Sequence, residues 1–234
     1  MPAPTLISYT ETAWNTATTP KSTGAVSWQS GDILVYLTAS EGAHLPGLPT
    51  SPAALTFTPQ QITNNNKCYG QIATCIAASS GSDIFTAALA GGGEWGFAVW
   101  VFRGSTGVGH STKSSLGGSA ANESTSLTSL QADSAIVWGC FDFNAATVGS
   151  IVPTPTNTRQ LARFPSHYTI YVADLLDQVL TTGVLYGCSG AGSTTGPFSI
   201  LVLEVLGNVT AAAEDDSWNP PISNAPDSST TVWQ

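Results

Sequence analysis

Charged side chains are scarce in this chain. Its 234 residues include 6 Lys and Arg against 15 Asp and Glu, which gives a formal net charge of −9. A protein that tracks the nucleic-acid backbone needs clustered basic side chains, so the composition excludes that class. Coiled coils and long charged helices are also excluded, because they need Glu, Lys and Arg at heptad spacing.

Long apolar runs and dense cysteine are missing as well. No stretch of ~18 apolar residues is present to span a bilayer, and the N-terminal sequence lacks the cationic and apolar regions of a secretory signal peptide. We therefore expect no membrane insertion, and synthesis in the cytoplasm without a signal peptide. The four cysteines are spread widely along the chain and form no Cys-x-x-Cys pair. They are expected to be free buried thiols, with no zinc site and no other cofactor.

Apolar and hydroxyl side chains take the place of charge. Hydrophobic residues make up 42% of the chain, which is enough for a sizeable core. Ser (27) and Thr (30) together account for 57 of the 234 residues. Thr, Val, Ile and aromatic residues favour strands over helices, so the composition predicts an all-β domain.

Gly, Pro, Asn and Ser divide the sequence into about ten to twelve short runs typical of strands. The strongest runs are residues 32–38, 71–78, 95–103, 135–143, 169–173, 184–188 and 198–206, and weaker ones are 5–10, 55–58, 84–88, 125–130 and 159–163. The runs 95–103 and 198–206 are apolar on both alternating faces, which predicts central strands of covered sheets. The pattern indicates an antiparallel, jelly-roll-like β-sandwich over residues 1–207.

A weak internal repeat divides the predicted sandwich into residues 32–104 and 133–207. Each half begins with an acidic turn residue, Asp32 or Asp133, that leads into a strand with an aromatic residue. Later in each half a strand of small residues, 72–81 or 184–192, precedes a buried strand that ends at Gly104 or Gly207. Two related halves suit a double Greek-key arrangement, although chance similarity between β-rich segments is an alternative.

Two segments fall outside the repeat. Residues 104–122 are rich in Gly and Ser and are expected to form a long surface loop. Residues 208–234 form an acidic C-terminal extension with Pro and Trp residues, and the charge from Gly207 onward is −4 with no basic residue. Such a segment has no core of its own.

No sequence pattern indicates catalysis. The three histidines, His44, His110 and His167, lie in unrelated surroundings. The segment 187–191 lacks the last glycine of a nucleophile elbow and is not followed by a helix. The glycines at 91–96 open a strand rather than the helix that dinucleotide binding requires. Acidic residues beside strands do not by themselves define a pair for glycoside cleavage. We therefore expect that the protein is not an enzyme.

Tryptophans are the remaining candidates for binding. Trp14 and Trp28 lie among polar residues and are expected to be exposed, where they could stack against sugar rings. Trp218 and Trp233 lie in the acidic extension, the first close to Pro220 and Pro221. Because tryptophan is a frequent interface hot spot, we expect Trp218, Pro220, Pro221 and Trp233 to anchor the extension in a pocket of this domain or of a neighbouring one.

The order of strand motifs resembles that of the β-sandwich virion proteins of tailed phages. The motifs are Gly31-Asp32-Ile33-Leu34-Val35, Trp95-Gly96-Phe97-Ala98-Val99-Trp100-Val101-Phe102-Arg103-Gly104, Ala132-Asp133-Ser134-Ala135-Ile136-Val137 and Phe141-Asp142-Phe143-Asn144. The chain looks most like proteins of actinobacterial phages that are usually called minor tail proteins, with capsid-decorating proteins as similar relatives. The resemblance covers residues 5–207 and implies a structural class without functional residues.

This resemblance implies a non-enzymatic virion protein, present in several copies and in contact with other tail or capsid proteins, as a homo-oligomer. The alternative is a carbohydrate-binding, lectin-like module that recognises a host surface glycan through Trp14 and Trp28. A hydrolase of cell-wall sugars is a weaker alternative, because the sequence offers no convincing acid and base pair.

Overall fold

The computed structural model contains only strands and their connections. It describes residues 3–17, 20–42, 44–64, 67–116, 122–142, 151–155, 158–165, 169–178, 182–190 and 198–208. These residues form sixteen strands, all paired antiparallel, and no helix. The prediction of an all-β, antiparallel, sandwich-like fold is therefore confirmed, with more strands than the expected ten to twelve.

The strands are numbered in chain order. Their bounds are β1 (Thr5–Glu11), β2 (Asn15–Ala17), β3 (Lys21–Trp28), β4 (Ile33–Glu41), β5 (Thr58–Asn64), β6 (Cys68–Ile76), β7 (Gly81–Ala87), β8 (Gly93–Arg103), β9 (Gly107–Leu116), β10 (Asn122–Leu127), β11 (Ser134–Asp142), β12 (Ile151–Thr154), β13 (Arg159–Pro165), β14 (Thr169–Gln178), β15 (Val184–Gly190) and β16 (Phe198–Leu206). Strand β9 occupies the segment 104–122, so the predicted long loop is wrong.

Four sheets are formed by the described strands. The first large sheet has the order β1-β8-β4-β6-β5, with β2 also paired to β8, and the first small sheet is β3-β7. The second large sheet has the order β13-β14-β11-β16-β9, and the second small sheet is β10-β15-β12. Strands β4, β8, β11 and β16 lie inside the large sheets and are almost wholly buried. Their runs are apolar on both faces for this reason.

Three hydrophobic cores define the stacking of these sheets. The central core joins the two large sheets and includes Val35, Trp100, Val137 and Leu201. A second core lies between the first large and first small sheets. A third lies between the second large and second small sheets. The molecule is thus a four-layer stack with the large sheets inside, and each large sheet is covered on both faces.

The two halves of the chain have the same strand order. When β1, β8, β4, β6 and β5 are replaced by β9, β16, β11, β14 and β13, the first large sheet becomes the second. The pair β3-β7 corresponds in the same way to β10-β15. The strands within residues 32–104 belong to the first two sheets, and those within residues 133–207 belong to the second two.

Strand register is also the same at the centre of the two large sheets. Tyr36 of β4 and Trp138 of β11 both point toward the small sheet of their own half. Each is flanked by an alanine and a valine on the neighbouring strands, Ala73 and Val99 in the first half and Ala173 and Val202 in the second. Matching irregularities interrupt the edge-strand pairings, at Leu6/Ser8 and Pro59/Gln61 in the first half and at Leu203/Val205 and Gln160/Ala162 in the second.

The halves meet through contacts between the two large sheets. Trp100 of β8 donates its indole N–H to Asp174 of β14 at 3.1 Å. Ser199 of β16 donates its hydroxyl to the main-chain oxygen of Cys68 in β6 at 3.2 Å. The packing is not symmetric, because β5 and β6 lie closely against β9, β11 and β16, whereas the described residues of β13 and β14 make no comparable contact with the first large sheet.

The jelly-roll description stays a prediction. A jelly roll divides eight strands between two facing sheets, whereas β5 and β13 here extend the large sheets and the described small sheets have two and three strands. Residues 209–234 of the C-terminal extension lie outside the described residues. Within the described part of the chain, no helix is long and apolar enough to cross a membrane.

Candidate functional site

Trp14 is buried, so its predicted exposure is wrong. Its side chain is 6% exposed and belongs to the central core. The chain breaks away from β8 between β1 and β2, and this turns the indole inward over Gly96, where an added Cβ would collide with the ring. The indole N–H donates to Glu11 at 2.8 Å. Trp14 thus anchors an edge strand and offers no flat surface to a sugar.

Trp28 is also buried, and its predicted exposure is wrong for a different reason. It is 4% exposed and lies in the core beneath the first small sheet, 5.8 Å from the ring of Phe85. In β3 the inward positions alternate with polar outward ones, and Trp28 is an inward residue beside Ser27. Its indole N–H donates to the main-chain oxygen of Ser79 at 3.0 Å. The polar residue Ser27 beside Trp28 is an outward-facing position of the same strand.

The four predicted anchor residues of the extension, Trp218, Pro220, Pro221 and Trp233, lie outside the described residues. His167, one of the three histidines considered for catalysis, also lies outside them. Their roles stay predictions.

Asp32 holds the turn that enters β4. Its carboxylate accepts two hydrogen bonds from the Arg103 guanidinium, at 2.9 and 2.8 Å, and one from the Gln29 main chain at 2.7 Å. Burial alone would raise the pKa of Asp32, but the hydrogen bonds from Arg103 and Gln29 lower it below its ordinary value. The acidic turn residue of the first half is therefore a structural acceptor.

Glu204 plays the corresponding part in the second half. It is fully buried in β16 and accepts hydrogen bonds from the main chains of His110 and Leu130 and from the hydroxyl of Ser134, at 2.8 to 3.0 Å. These bonds tie β9 and the turn before β11 to β16. Sequence reasoning missed this residue, although a single carboxylate within the apolar run 198–206 is a signal for a buried structural acceptor.

Lys21 fills the break between β1 and β2. Its ammonium donates to the main-chain oxygens of Ala13, Asn15 and Trp95 and to the Asn15 side chain, at 2.6 to 2.9 Å. It also lies 5.2 Å from the Trp95 ring centroid. Burial lowers the pKa of Lys21 to about 8. The side chain therefore remains mainly protonated at neutral pH, and it was not singled out in the sequence.

The described cysteines are free thiols and do not form part of a metal site. Cys68, Cys75 and Cys140 are free and buried, as predicted for them, and burial raises the pKa of Cys68 and of Cys75. The side chain of Cys188 is not described. In the part of the chain that the structure describes, no group of three or more His, Cys, Asp or Glu side chains converges to hold a metal ion.

Among the described residues, two surface grooves are candidates for binding. One, of about 280 Å³, lies between the edge strands β5 and β9 and is lined by Pro59, Gln60, Gln61, Ile62 and Lys113. We call these five residues the seam, because they lie where the two halves meet. The other groove, of about 290 Å³, lies beside β7 and is lined mainly by apolar residues that include Pro20, Leu48 and Ala87.

The seam is bridged by two side chains. Lys113 of β9 donates to the main-chain oxygen of Ile62 in β5 at 2.8 Å. Gln61 of β5 donates to the hydroxyl of Ser111 in β9 at 2.9 Å. Ile62 nevertheless stays 39% exposed beside the exposed Lys113. The seam thus combines an apolar side chain, amide groups and a cation on one accessible groove.

Comparisons with known proteins identify no relative. A scan against protein-family models, a search of curated proteins and a search of solved structures each give no match.

Proposed function

We propose that the chain is a non-enzymatic structural protein of a bacteriophage virion, either a minor tail protein or a capsid decoration module. The observation that carries the proposal is the four-layer stack of two register-matched halves. The buried carboxylates of Asp32 and Glu204 and the buried ammonium of Lys21 hold strands and turns together. A scaffold of this kind provides rigidity and surface area, which particle assembly requires.

The resemblance of the strand motifs to tailed-phage virion proteins supports the same proposal. The protein is incorporated in several copies, as a homo-oligomer and in contact with other tail or capsid proteins. In this proposal the end of the acidic extension provides the contact, because Trp233 has the chemistry of an interface anchor. The lectin-like alternative is not advanced, since Trp14 and Trp28 are both buried.

Truncation of the extension tests the proposal. A chain that ends at Gly207 is expected to fold, because the described strands end at Leu206, and to be lost from particles. Co-purification with phage particles, measured by mass spectrometry, is the readout for the wild type and the truncated chain. The truncated chain is also checked for native secondary structure by circular dichroism.

The matched control is the full chain with Trp218→Ala and Trp233→Ala, which keeps the length and the charge of the extension. We expect it to be incorporated poorly as well. Normal incorporation of both variants would refute the role of the extension, and absence of the wild-type chain from every particle fraction would refute the virion assignment.

A further inference from the structure

We propose that the seam between β5 and β9 holds the first part of the C-terminal extension of the same chain, residues 209–218. The acidic residues 214–216 would face Lys113, and Trp218 would lie against Ile62. The remaining residues, with Pro220, Pro221 and Trp233, would then leave the domain from a fixed point. This docking is independent of whether the protein is part of a virion.

The distance along the sheet supports this path. Leu206 at the end of β16 pairs with Gly107 at the start of β9, and Thr106 donates its hydroxyl to Gly207 at 2.9 Å. The described chain therefore ends beside the start of β9. Lys113 lies six residues further along β9 and residue 214 lies six residues beyond Asn208, roughly 20 Å in each case for extended chain. An extension that runs beside β9 brings its acidic residues level with Lys113.

Charge complementarity favours the same contact. The extension is acidic and has no basic residue. Among the lysines that the structure describes, Lys21 is buried, whereas Lys67 and Lys113 are exposed. Lys113 is the one that lines the groove. An ammonium has three donor hydrogens, and the bond to Ile62 uses one of them. Lys113 can therefore hold the seam together and donate to a carboxylate at the same time.

The size and lining of the seam suit a tryptophan at its end. The groove has a volume of about 280 Å³ and includes the exposed side chain of Ile62. The amide groups of Gln60 and Gln61 lie beside it and provide hydrogen-bonding partners for an extended backbone. Contacts of this kind are individually weak in water. A short tether gives the extension an effective concentration in the millimolar range, which is enough to occupy a weak site of the same chain.

Limited digestion with chymotrypsin tests this docking in the full chain. The protease cleaves after Trp218, within the proposed contact. The variant Lys113→Glu, which leaves the sequence around the cleaved bond unchanged, is the reference. We expect cleavage after Trp218 to be about threefold to tenfold slower in the wild type than in this variant, the range for one exposed ion pair and a partly buried indole. Mass spectrometry of the released peptide 219–234 gives the rate.

Charge variants define the contact. Lys113→Glu should speed cleavage after Trp218, and adding Asp215→Lys to that variant should restore the protection. The variant Glu214→Gln/Asp215→Asn/Asp216→Asn lies entirely in the extension, so it leaves the folded domain unchanged and should lose protection too.

Equal rates of cleavage after Trp218 in the wild type and in Lys113→Glu would overturn the proposal. Protection that survives in the variant with the three neutralised acidic residues would overturn it as well. Protection that weakens on dilution would show that the extension docks on a second copy, and the intramolecular assignment would then be wrong. None of these outcomes depends on incorporation into particles, so they are distinguishable from failure of the virion proposal.

Discussion

At the scale of single residues, two buried carboxylates stabilise equivalent places by different routes. Asp32 precedes β4 and accepts from Arg103 of β8, whereas Glu204 lies in β16 itself and accepts from the turn before β11. The acceptor has moved from the turn in one half to the strand in the other. In both halves a carboxylate links the turn before the inner strand, β4 or β11, to the neighbouring strand, β8 or β16. Because the carboxylate comes from a different position in each half, comparison of the two sequences does not show the equivalence.

The pH dependence of stability is predicted to report on Asp32. Its lowered pKa means that the unfolded chain takes up a proton first as the pH falls. The contribution of Asp32 is thus fully present above about pH 4 and is lost as the pH falls through the folded-state pKa. Asp32→Asn should lower the urea midpoint at pH 7 and show less further loss between pH 4 and pH 2.5, measured by tryptophan fluorescence. An acid loss equal to that of the wild type would contradict this.

At the scale of elements, the central strands were predictable and several polar strands were not. Strands β8 and β16 are apolar on both faces, so their position inside a sheet follows from the sequence. Strand β9 has Ser, Thr and Gly at most positions, and its place is determined by pairing with β16. The sequence repeat also matched residues 72–81 with 184–192, whereas the position of β6 in its sheet corresponds to that of β14 and the position of β15 to that of β7.

The tryptophan sites show the same limit on prediction. The burial of Trp28 could have been predicted from the alternation of Val26, Ser27 and Trp28 in β3. The burial of Trp14 depends on the break between β1 and β2 and on contact with Gly96, some 80 residues away in sequence. No local pattern contains that contact. The seam was missed for the same reason, because β5 and β9 come from different halves of the chain.

The break between β1 and β2 provides a prediction about Lys21. Lys21→Met removes the donor shared by three main-chain oxygens and the Asn15 side chain, and should cost about 1–3 kcal/mol of unfolding free energy at pH 7. The lowered pKa of Lys21 also determines how the unfolding free energy changes with pH. Above about pH 8 the unfolded chain binds more protons than the folded one. The stability that Lys21 contributes should therefore rise between about pH 8 and pH 9.5.

Urea unfolding of the wild type and Lys21→Met at pH 7, 8, 9 and 9.5 measures both effects, and the difference between the two proteins removes contributions from other groups. A constant difference across this pH range would contradict the assigned titration. Unchanged stability of the variant at pH 7 would contradict the structural role of the ammonium.

At the scale of the whole molecule, the central core makes the two halves one folding unit. Gly70 of β6 faces the second large sheet, and an added Cβ would collide with Phe141 of β11 and touch Leu201 of β16. Gly70→Ala should therefore destabilise the protein by about 1–3 kcal/mol, since overpacking forces neighbouring side chains to shift. Differential scanning calorimetry is expected to show one transition that moves to lower temperature as a whole.

Gly24→Ala is the matched control for this prediction. Gly24 lies in β3, and nothing is within 4 Å of the position of its added Cβ. Its effect should stay within about 0.5 kcal/mol of the wild type. Two separated transitions in Gly70→Ala would show that the halves fold independently. Equal effects of the two substitutions would show that the central contact is loose.

The joining of two similar halves in one chain allows the two ends of the stack to differ. In a true twofold dimer both ends carry the same sequence, so a substitution that suits one neighbour is imposed on the other end as well. Fusion of the two halves in one chain removes this coupling, as the exchange of roles between Asp32 and Glu204 illustrates. The stack therefore has an inherent polarity: its two outer small sheets can specialise for different neighbours while the shared interior keeps their spacing and orientation constant.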